Sequence, residues 1–346
     1  MKEVSIIVPF YRGLLYLDDC FESIMEQGLD SETYEVLCMG DAPEEGIVSI
    51  VDKYERAGMP VRYIQWFENR GVGYARNRGL ELADGKYIYF LDSDDYMMPG
   101  CINRLLECAV KNDAPVVRGD IITTCDGKSA FNIGSSIKDC IKCDRKGNDA
   151  QLTSLFEAEV TTLNMLIKKE AIDSSNVTFP DNVRYFSDIE FVMNLLMNTG
   201  EYYLAKGAVL AKRGHGMAGM CEANAEKMIK DFTSVYKNTI SIEDISPKRR
   251  NILCGLLCEN VLMILRSGYN LTDETAHHVS VYVKDAVKNV PNRFAAIEKQ
   301  ALVSVGRGQY AIARKLIRFQ GVHIKSRLVK ILKGAAVTVY KIMYSC

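Results

Sequence analysis

The first hundred residues alternate between two hydrophobic periods. Val4-Ser5-Ile6-Ile7-Val8 is a nearly continuous β-branched run that stops at Pro9, the pattern of a strand buried on both faces. Between Tyr16 and Gln27 the apolar positions Leu17, Cys20, Phe21, Ile24 and Met25 recur at helical spacing. The alternation continues through strand Tyr34–Met39, helix Ile47–Ala57, strand Val61–Trp66, helix Gly73–Leu82 and strand Tyr87–Leu91. Helix Cys101–Lys111 and strand Pro115–Arg118 follow. Strands separated by helix-length segments predict an α/β fold, with a mostly parallel, doubly wound sheet and helices on both faces.

The pattern then changes. Cys125–Asp149 is polar and aperiodic, and reads as an irregular excursion over the sheet. Apolar character returns in strand Thr162–Ile167, helix Ile189–Met197 and strand Glu201–Ala211. Beyond Gly219 the periodicity is helical, over Asn224–Tyr236, Lys248–Leu265, Thr272–Val287, Ala295–Ser304 and Gln309–Arg318. The expected organisation is an α/β domain over residues 1–220 and a helical C-terminal region over 221–346, with the boundary falling between 220 and 245.

Composition narrows the classes. With 346 residues, 48% hydrophobic and 25% charged, the chain has material for a sizeable core. No run of about eighteen apolar residues is present, so no spanning helix is expected. The eleven cysteines are scattered and odd in number, and the N-terminus enters a strand without a signal-peptide pattern, so a reducing cytoplasm is expected. Cys140-Ile141-Lys142-Cys143 lacks a second pair and does not point to structural zinc. The formal charge of −1 hides an asymmetry: Lys299–Cys346 holds ten Lys or Arg and no acid. In Val322–Tyr344 apolar and basic positions mix as on an interfacial helix, which predicts an anionic membrane surface as partner. Nucleic-acid recognition motifs are absent.

The chemistry concentrates where strand Tyr87–Leu91 runs into Asp92-Ser93-Asp94-Asp95. Open α/β sheets bind ligands at the carboxyl ends of their strands. Three carboxylates in four residues call for a compensating charge, and a hard divalent cation on phosphate oxygens supplies one. An acidic turn capping the next helix is the other reading of the same residues.

Four segments in order resemble the inverting family 2 glycosyltransferases with the GT-A fold. They are Val4–Tyr11, Leu17–Gln27, Asn69-Arg70-Gly71…Ala75-Arg76-Asn77, and Gly85–Tyr87 leading to Asp92-Ser93-Asp94-Asp95, the DxD motif. The likeness spans roughly residues 1–220. It implies that Pro9 and Tyr11 line a nucleobase pocket, that Asp41 hydrogen-bonds a uracil edge, and that Arg76 reaches the nucleotide or pairs with Asp41. It further implies that Asp92 and Ser93 meet the donor, and that Asp92 and Asp94 hold Mg²⁺ or Mn²⁺. Asp95 would order the loop or cap the next helix. In Phe186-Ser187-Asp188-Ile189 the aligned general base is Asp188. In Lys212-Arg213-Gly214-His215, Arg213 would face the leaving phosphates and His215 would add a metal ligand.

Two positions depart from the family pattern: Gly40 replaces the first Asp of a pair, and Ser187 replaces a Glu beside the base. The expected activity is transfer of a sugar from a nucleotide donor, a UDP-sugar, to a saccharide or lipid-linked saccharide at the inner membrane face. The alternatives are a non-catalytic nucleotide-sugar or glycan binder and a sugar nucleotidyltransferase. The latter class wants a basic glycine-rich loop after the first strand, where this chain has Pro9-Phe10-Tyr11-Arg12-Gly13.

Overall fold

The computed structural model describes residues 2–42, 44–124, 140–144, 161–213, 217–241, 245, 247–267, 269–289 and 294–317. The chain divides into two compact units, Met1–Met217 and Ala218–Cys346.

In the first unit β1 (Lys2–Phe10) lies between β2 (Tyr34–Asp41) and β4 (Gly85–Phe90), parallel to both, and β3 (Val61–Trp66) extends the parallel set from β2. Side chains alternate across these strands. Val4, Ile6, Val8 and Phe10 face α1 (Leu14–Met25) and α2 (Ile47–Arg56), joining Leu17, Phe21, Val51 and Tyr54 in one core. Ile7 faces α3 (Val72–Leu82), where Gly79 has no room for a side chain against it. Val4, Ile6, Ile7 and Val8 are all buried, as a strand covered on both faces requires.

Five more strands complete a nine-stranded sheet: β5 (Tyr96–Met97), β6 (Val116–Thr124), β7 (Cys140–Asp144), β8 (Met165–Lys168) and β9 (Glu201–Arg213). The order is β3-β2-β1-β4-β8-β6-β9-β5, with β7 on β9. β8 is antiparallel to both β4 and β6, and β5 and β7 are antiparallel to β9. The other six strands run one way, so the sheet is mostly parallel as expected. Part of the expected excursion at 125–149 is thus a strand, β7. The expected strand at Thr162 begins three residues later, because Thr161–Asn164 forms a turn that includes a left-handed Asn164 (φ +54°). Helices α4 (Cys101–Asn112), α5 (Lys169–Ser175) and α6 (Ser187–Thr199) complete the unit.

Asn164 fastens the two halves of this sheet. Its buried amide donates to the carbonyls of Asp120 (2.6 Å) and Ala208 (2.8 Å), while its Oδ1 accepts from Tyr89 (3.0 Å) and Cys101 (3.2 Å). The six cysteines described with their side chains are all buried and unlinked.

The second unit is helical among its described residues: α7 (Met217–Ile240), α8 (Pro247–Ser267), α9 (Asp273–Ala286), α10 (Ala296–Gly306) and a helix over 310–317. Thr272 caps α9 by accepting from Thr275 N–H, and Arg266 pairs with Glu298. No described helix is long and apolar enough to cross a membrane. The basic segment 322–344 lies outside the described residues.

Candidate active site

The carboxyl ends of β1, β2, β3 and β4 deliver Tyr11, Asp41, Trp66 and Asp92 to one edge of the sheet. Pro9 is buried within β1, while Tyr11 is 43% exposed just beyond it. Asp41 is buried and largely committed. Its Oδ1 accepts from Trp66 Nε1 and Arg70 N–H, and its Oδ2 from Gly71 N–H, each at 2.7 Å. A carboxylate has about four acceptor positions, so one on Oδ2 is left for a ligand N–H. Gly71 serves this turn with a φ of +92°, which only glycine adopts freely.

Arg76 is the centre of the arrangement. The sequence reading sends it to the nucleotide or to Asp41; in the structure it joins two other carboxylates. Nη1 meets Asp188 Oδ1 at 2.5 Å and Nη2 meets Asp92 Oδ1 at 2.8 Å, with the Arg76 side chain 3% exposed. The guanidinium lies 5.4 Å from the Phe179 ring centre and 5.9 Å from that of Phe90, over an apolar floor that Phe191 completes. The pairing requires α3 and α6 to approach closely. Gly73 on α3 lets the segment before α6 come near, because an added Cβ there would lie a tight 3.2 Å from Pro180 O, with Ser187 Cβ at an ordinary contact of 3.5 Å. Ser187 itself is buried, and its Oγ has no hydrogen-bond partner among the described residues.

Asp188 sits in the first turn of α6, behind Phe186, whose φ of +66° is a costly conformation for an aromatic residue. Its Oδ2 accepts from Thr161 Oγ1 (3.0 Å), Thr162 N–H (3.1 Å) and Thr162 Oγ1 (3.1 Å). Burial alone would raise its pKa. The Arg76 charge and the hydrogen bonds from Thr162 and Thr161 outweigh that and hold it below the usual carboxylate value. Asp188 is therefore an anion at neutral pH, with acceptor capacity left on Oδ1. The two threonines were not legible in the sequence as site residues, since they stand 26 and 27 positions away from their partner.

Asp92, Asp94 and Asp95 each place an oxygen within 4.8 Å of the others. Burial raises the Asp92 pKa and Arg76 opposes the rise, while Asp94 and Asp188 reinforce it. For Asp95, burial followed by the charges of Asp92 and Asp94 pushes the pKa up to about 8, against the Arg213 amide. Crowded oxygen donors with surplus negative charge suit a hard divalent cation, so these residues fit Mg²⁺ or Mn²⁺. Asp95 does not cap a helix, since α4 begins six residues later; its Oδ1 accepts from Arg213 N–H at 2.9 Å. Ser93 is buried between the acids, close to the turn at Gly13.

Arg213 ends β9 beside this cluster. Its guanidinium pairs with Asp19 of α1 and lies between the rings of Tyr16 (4.8 Å) and Tyr96 (5.4 Å). In this state it fastens β9 to α1. His215 lies outside the described residues.

Gly40 faces the opposite side of β2 from Asp41 and packs against the Tyr63 ring. A Cβ at position 40 would lie 2.7 Å from Tyr63 Oη and 2.8 Å from its Cε2. The Tyr63 ring occupies that space, with its hydroxyl donating to Gln65 Oε1 at 2.7 Å.

Comparison with known proteins bears on the family and the fold. Residues 5–172 match the sequence model of glycosyl transferase family 2. Poly(ribitol-phosphate) beta-glucosyltransferase of Bacillus spizizenii is 24% identical over 214 residues, 59% of this chain and 32% of that protein. Poly(ribitol-phosphate) beta-N-acetylglucosaminyltransferase TarP of Staphylococcus aureus is 28% identical over 207 residues, 58% of this chain and 60% of that protein. The chain spans 32% to 60% of the length of the first curated relatives it matches. Among solved structures, S. aureus TarS 1–349 in complex with UDP-GlcNAc superposes with a TM-score of 0.70 at 17% identity, covering 92% of each chain. That likeness bears on the fold, which is the GT-A arrangement the motifs implied.

Proposed function

This chain belongs to glycosyl transferase family 2, and from that membership we propose that it transfers a sugar, with inversion, from a UDP-sugar to a hydroxyl of a saccharide or polyol-phosphate polymer. The neighbours crystallised with UDP and UDP-GlcNAc support the donor, and the poly(ribitol-phosphate) glycosyltransferases support the acceptor class. The observation that carries the reading is Arg76, which fastens Asp92 of the DxD turn to Asp188 through one buried guanidinium.

In this mechanism Tyr11 and Asp41 seat the nucleobase, Asp41 through the one acceptor position its loop contacts leave. Asp92 and Asp94, with Asp95 beside them, would hold Mg²⁺ or Mn²⁺, which when bound neutralises charge on the departing diphosphate. Asp188 takes the acceptor hydroxyl proton as that oxygen attacks the anomeric carbon. Arg76, Thr161 and Thr162 fix its orientation and keep it ionised. They also make it a weak base, so proton transfer accompanies bond formation, when the hydroxyl is most acidic. Arg213 lies close enough to the cluster to meet the phosphates if it leaves Asp19. Work at the cytoplasmic face of the membrane fits a lipid-linked acceptor.

The test is a nucleotide-sugar panel with Mg²⁺ or Mn²⁺, read by donor hydrolysis and thermal shift. Metal-dependent UDP binding that disappears in Asp94→Ala is the expected result. Absence of binding to every donor would refute the proposal, and turnover surviving in Asp188→Asn would remove Asp188 as the base.

A further inference from the structure

The turn after β1 holds a cation with no assigned task. Arg12 adopts φ +52°, a left-handed conformation unusual for a side chain without a short polar group, so the fold places it there against its preference. The residue is exposed, and its guanidinium lies 5.2 Å from the centre of the Tyr11 ring. No carboxylate pairs with it among the described residues. On the adjacent helix the acids of the first two turns are used elsewhere, Asp18 by Lys53 and Asp19 by Arg213. The next residue, Gly13, abuts the acidic turn: a Cβ on it would lie 3.6 Å from Ser93 Oγ, between Asp92 and Asp94. A cation, an aromatic face and a cluster of cation-binding carboxylates thus meet at one turn.

We propose that Arg12 is a donor-binding residue that contacts the diphosphate of the nucleotide sugar from the side opposite the carboxylate cluster, with Tyr11 supporting the guanidinium. The assignment rests on the donor site proposed above and adds a residue to it. Charge complementarity carries it: the anion drawn to the Asp92–Asp94 cation lies beside Ser93, and Arg12 is the cation held on the neighbouring turn. A guanidinium stacked on an aromatic ring keeps its edge N–H groups free to bind phosphate oxygens in pairs.

The experiment compares the full chain with Arg12→Asn and Arg12→Lys by calorimetry, with UDP and with uridine as probes, each with Mn²⁺ present. Asn tolerates the left-handed backbone, so Arg12→Asn removes the guanidinium without adding strain. UDP affinity should fall about ten- to a hundredfold in Arg12→Asn, as for lost charge-assisted hydrogen bonds. Arg12→Lys should recover part of the loss, uridine affinity should not change, and donor KM should rise more than kcat falls. Equal UDP affinity in Arg12→Asn overturns the assignment. So does an equal loss for uridine and UDP, which would place Arg12 on the base, or a rise confined to acceptor KM, which would place it on an acceptor anion. If the unsubstituted chain binds no UDP at all, the proposed function fails and this assignment with it.

Discussion

Replacing Arg76 by Met tests the centre of the site most directly. Met keeps an unbranched side chain of similar reach and removes only the guanidinium. Arg76 is 3% exposed and its two partners 31% and 18%, so deleting it strands two poorly solvated carboxylates. Breaking buried ion pairs from one side costs about 3–5 kcal/mol. Asp188 keeps its three hydrogen bonds from Thr161 and Thr162, which points to the lower half of that range. At about 2–4 °C per kcal/mol for a unit of this size, the melting transition of the first unit should fall by roughly 6–16 °C. The double variant Arg76→Met/Asp188→Asn should recover part of that loss, because no stranded anion remains at position 188. A second readout concerns pH. Asp188 has a lowered native pKa, so the stability it contributes is present above its unfolded value and is lost as pH falls through the native one. Without Arg76 its pKa rises, and the acid limb of kcat should move to higher pH. Differential scanning calorimetry and a pH–rate profile measure both. A single variant within about 1 °C of the parent, or a double variant with no recovery, would refute the account of Arg76 as a buried bridge.

Three further outcomes follow from the same geometry. Ser187→Ala removes a buried hydroxyl with no hydrogen-bond partner among the described residues and should be neutral or stabilising by up to about 1 kcal/mol, whereas Ser187→Glu puts a larger charged group in the same buried place and should destabilise by about 1–3 kcal/mol; thermal melts of the pair decide this. Gly40→Ala should destabilise by a similar amount through the Tyr63 ring, and Tyr63→Val should relieve it, so additive losses in the double variant would contradict the packing argument. Asp95, with a pKa up to about 8, holds a proton at neutral pH that the unfolded chain has released, so metal-free stability should fall as pH rises from about 4 towards 8. Divalent cation binding should then release protons near pH 7 and tighten towards pH 8, and a pH-independent Mn²⁺ affinity would contradict it.

The parallel half of the sheet was legible because its central strands are buried on both faces and leave nearly continuous apolar runs, as at Val4–Val8 and Tyr87–Leu91. β5 and β7 were not, since a two-residue strand has no period and Cys140–Asp144, which pairs with β9, sits in a polar stretch. Asp92, Asp94 and Asp188 stand out in sequence because local motifs surround them. The partners of the site's arginines do not: Arg76 reaches Asp188 across 112 positions, and Arg213 reaches Asp19 across 194. Such partners are chosen by the approach of α3 to α6 and of β9 to α1, which only the assembled sheet determines.

The two departures from the family pattern bear on whether the site is competent, and neither removes a contact of Asp41 or Asp188 described above. An acid at position 40 would collide with Tyr63, on the face of β2 that turns away from Asp41, so its loss leaves the Asp41 contacts to Trp66, Arg70 and Gly71 intact. Ser187 is buried beside Asp188, and with serine at this position Arg76 holds Asp188 at 2.5 Å. A binding protein that had lost turnover would have no need to keep Asp188 ionised by four donors in a buried pocket. Retaining that costly arrangement, on a helix entered through a left-handed phenylalanine, favours the transferase over the non-catalytic reading.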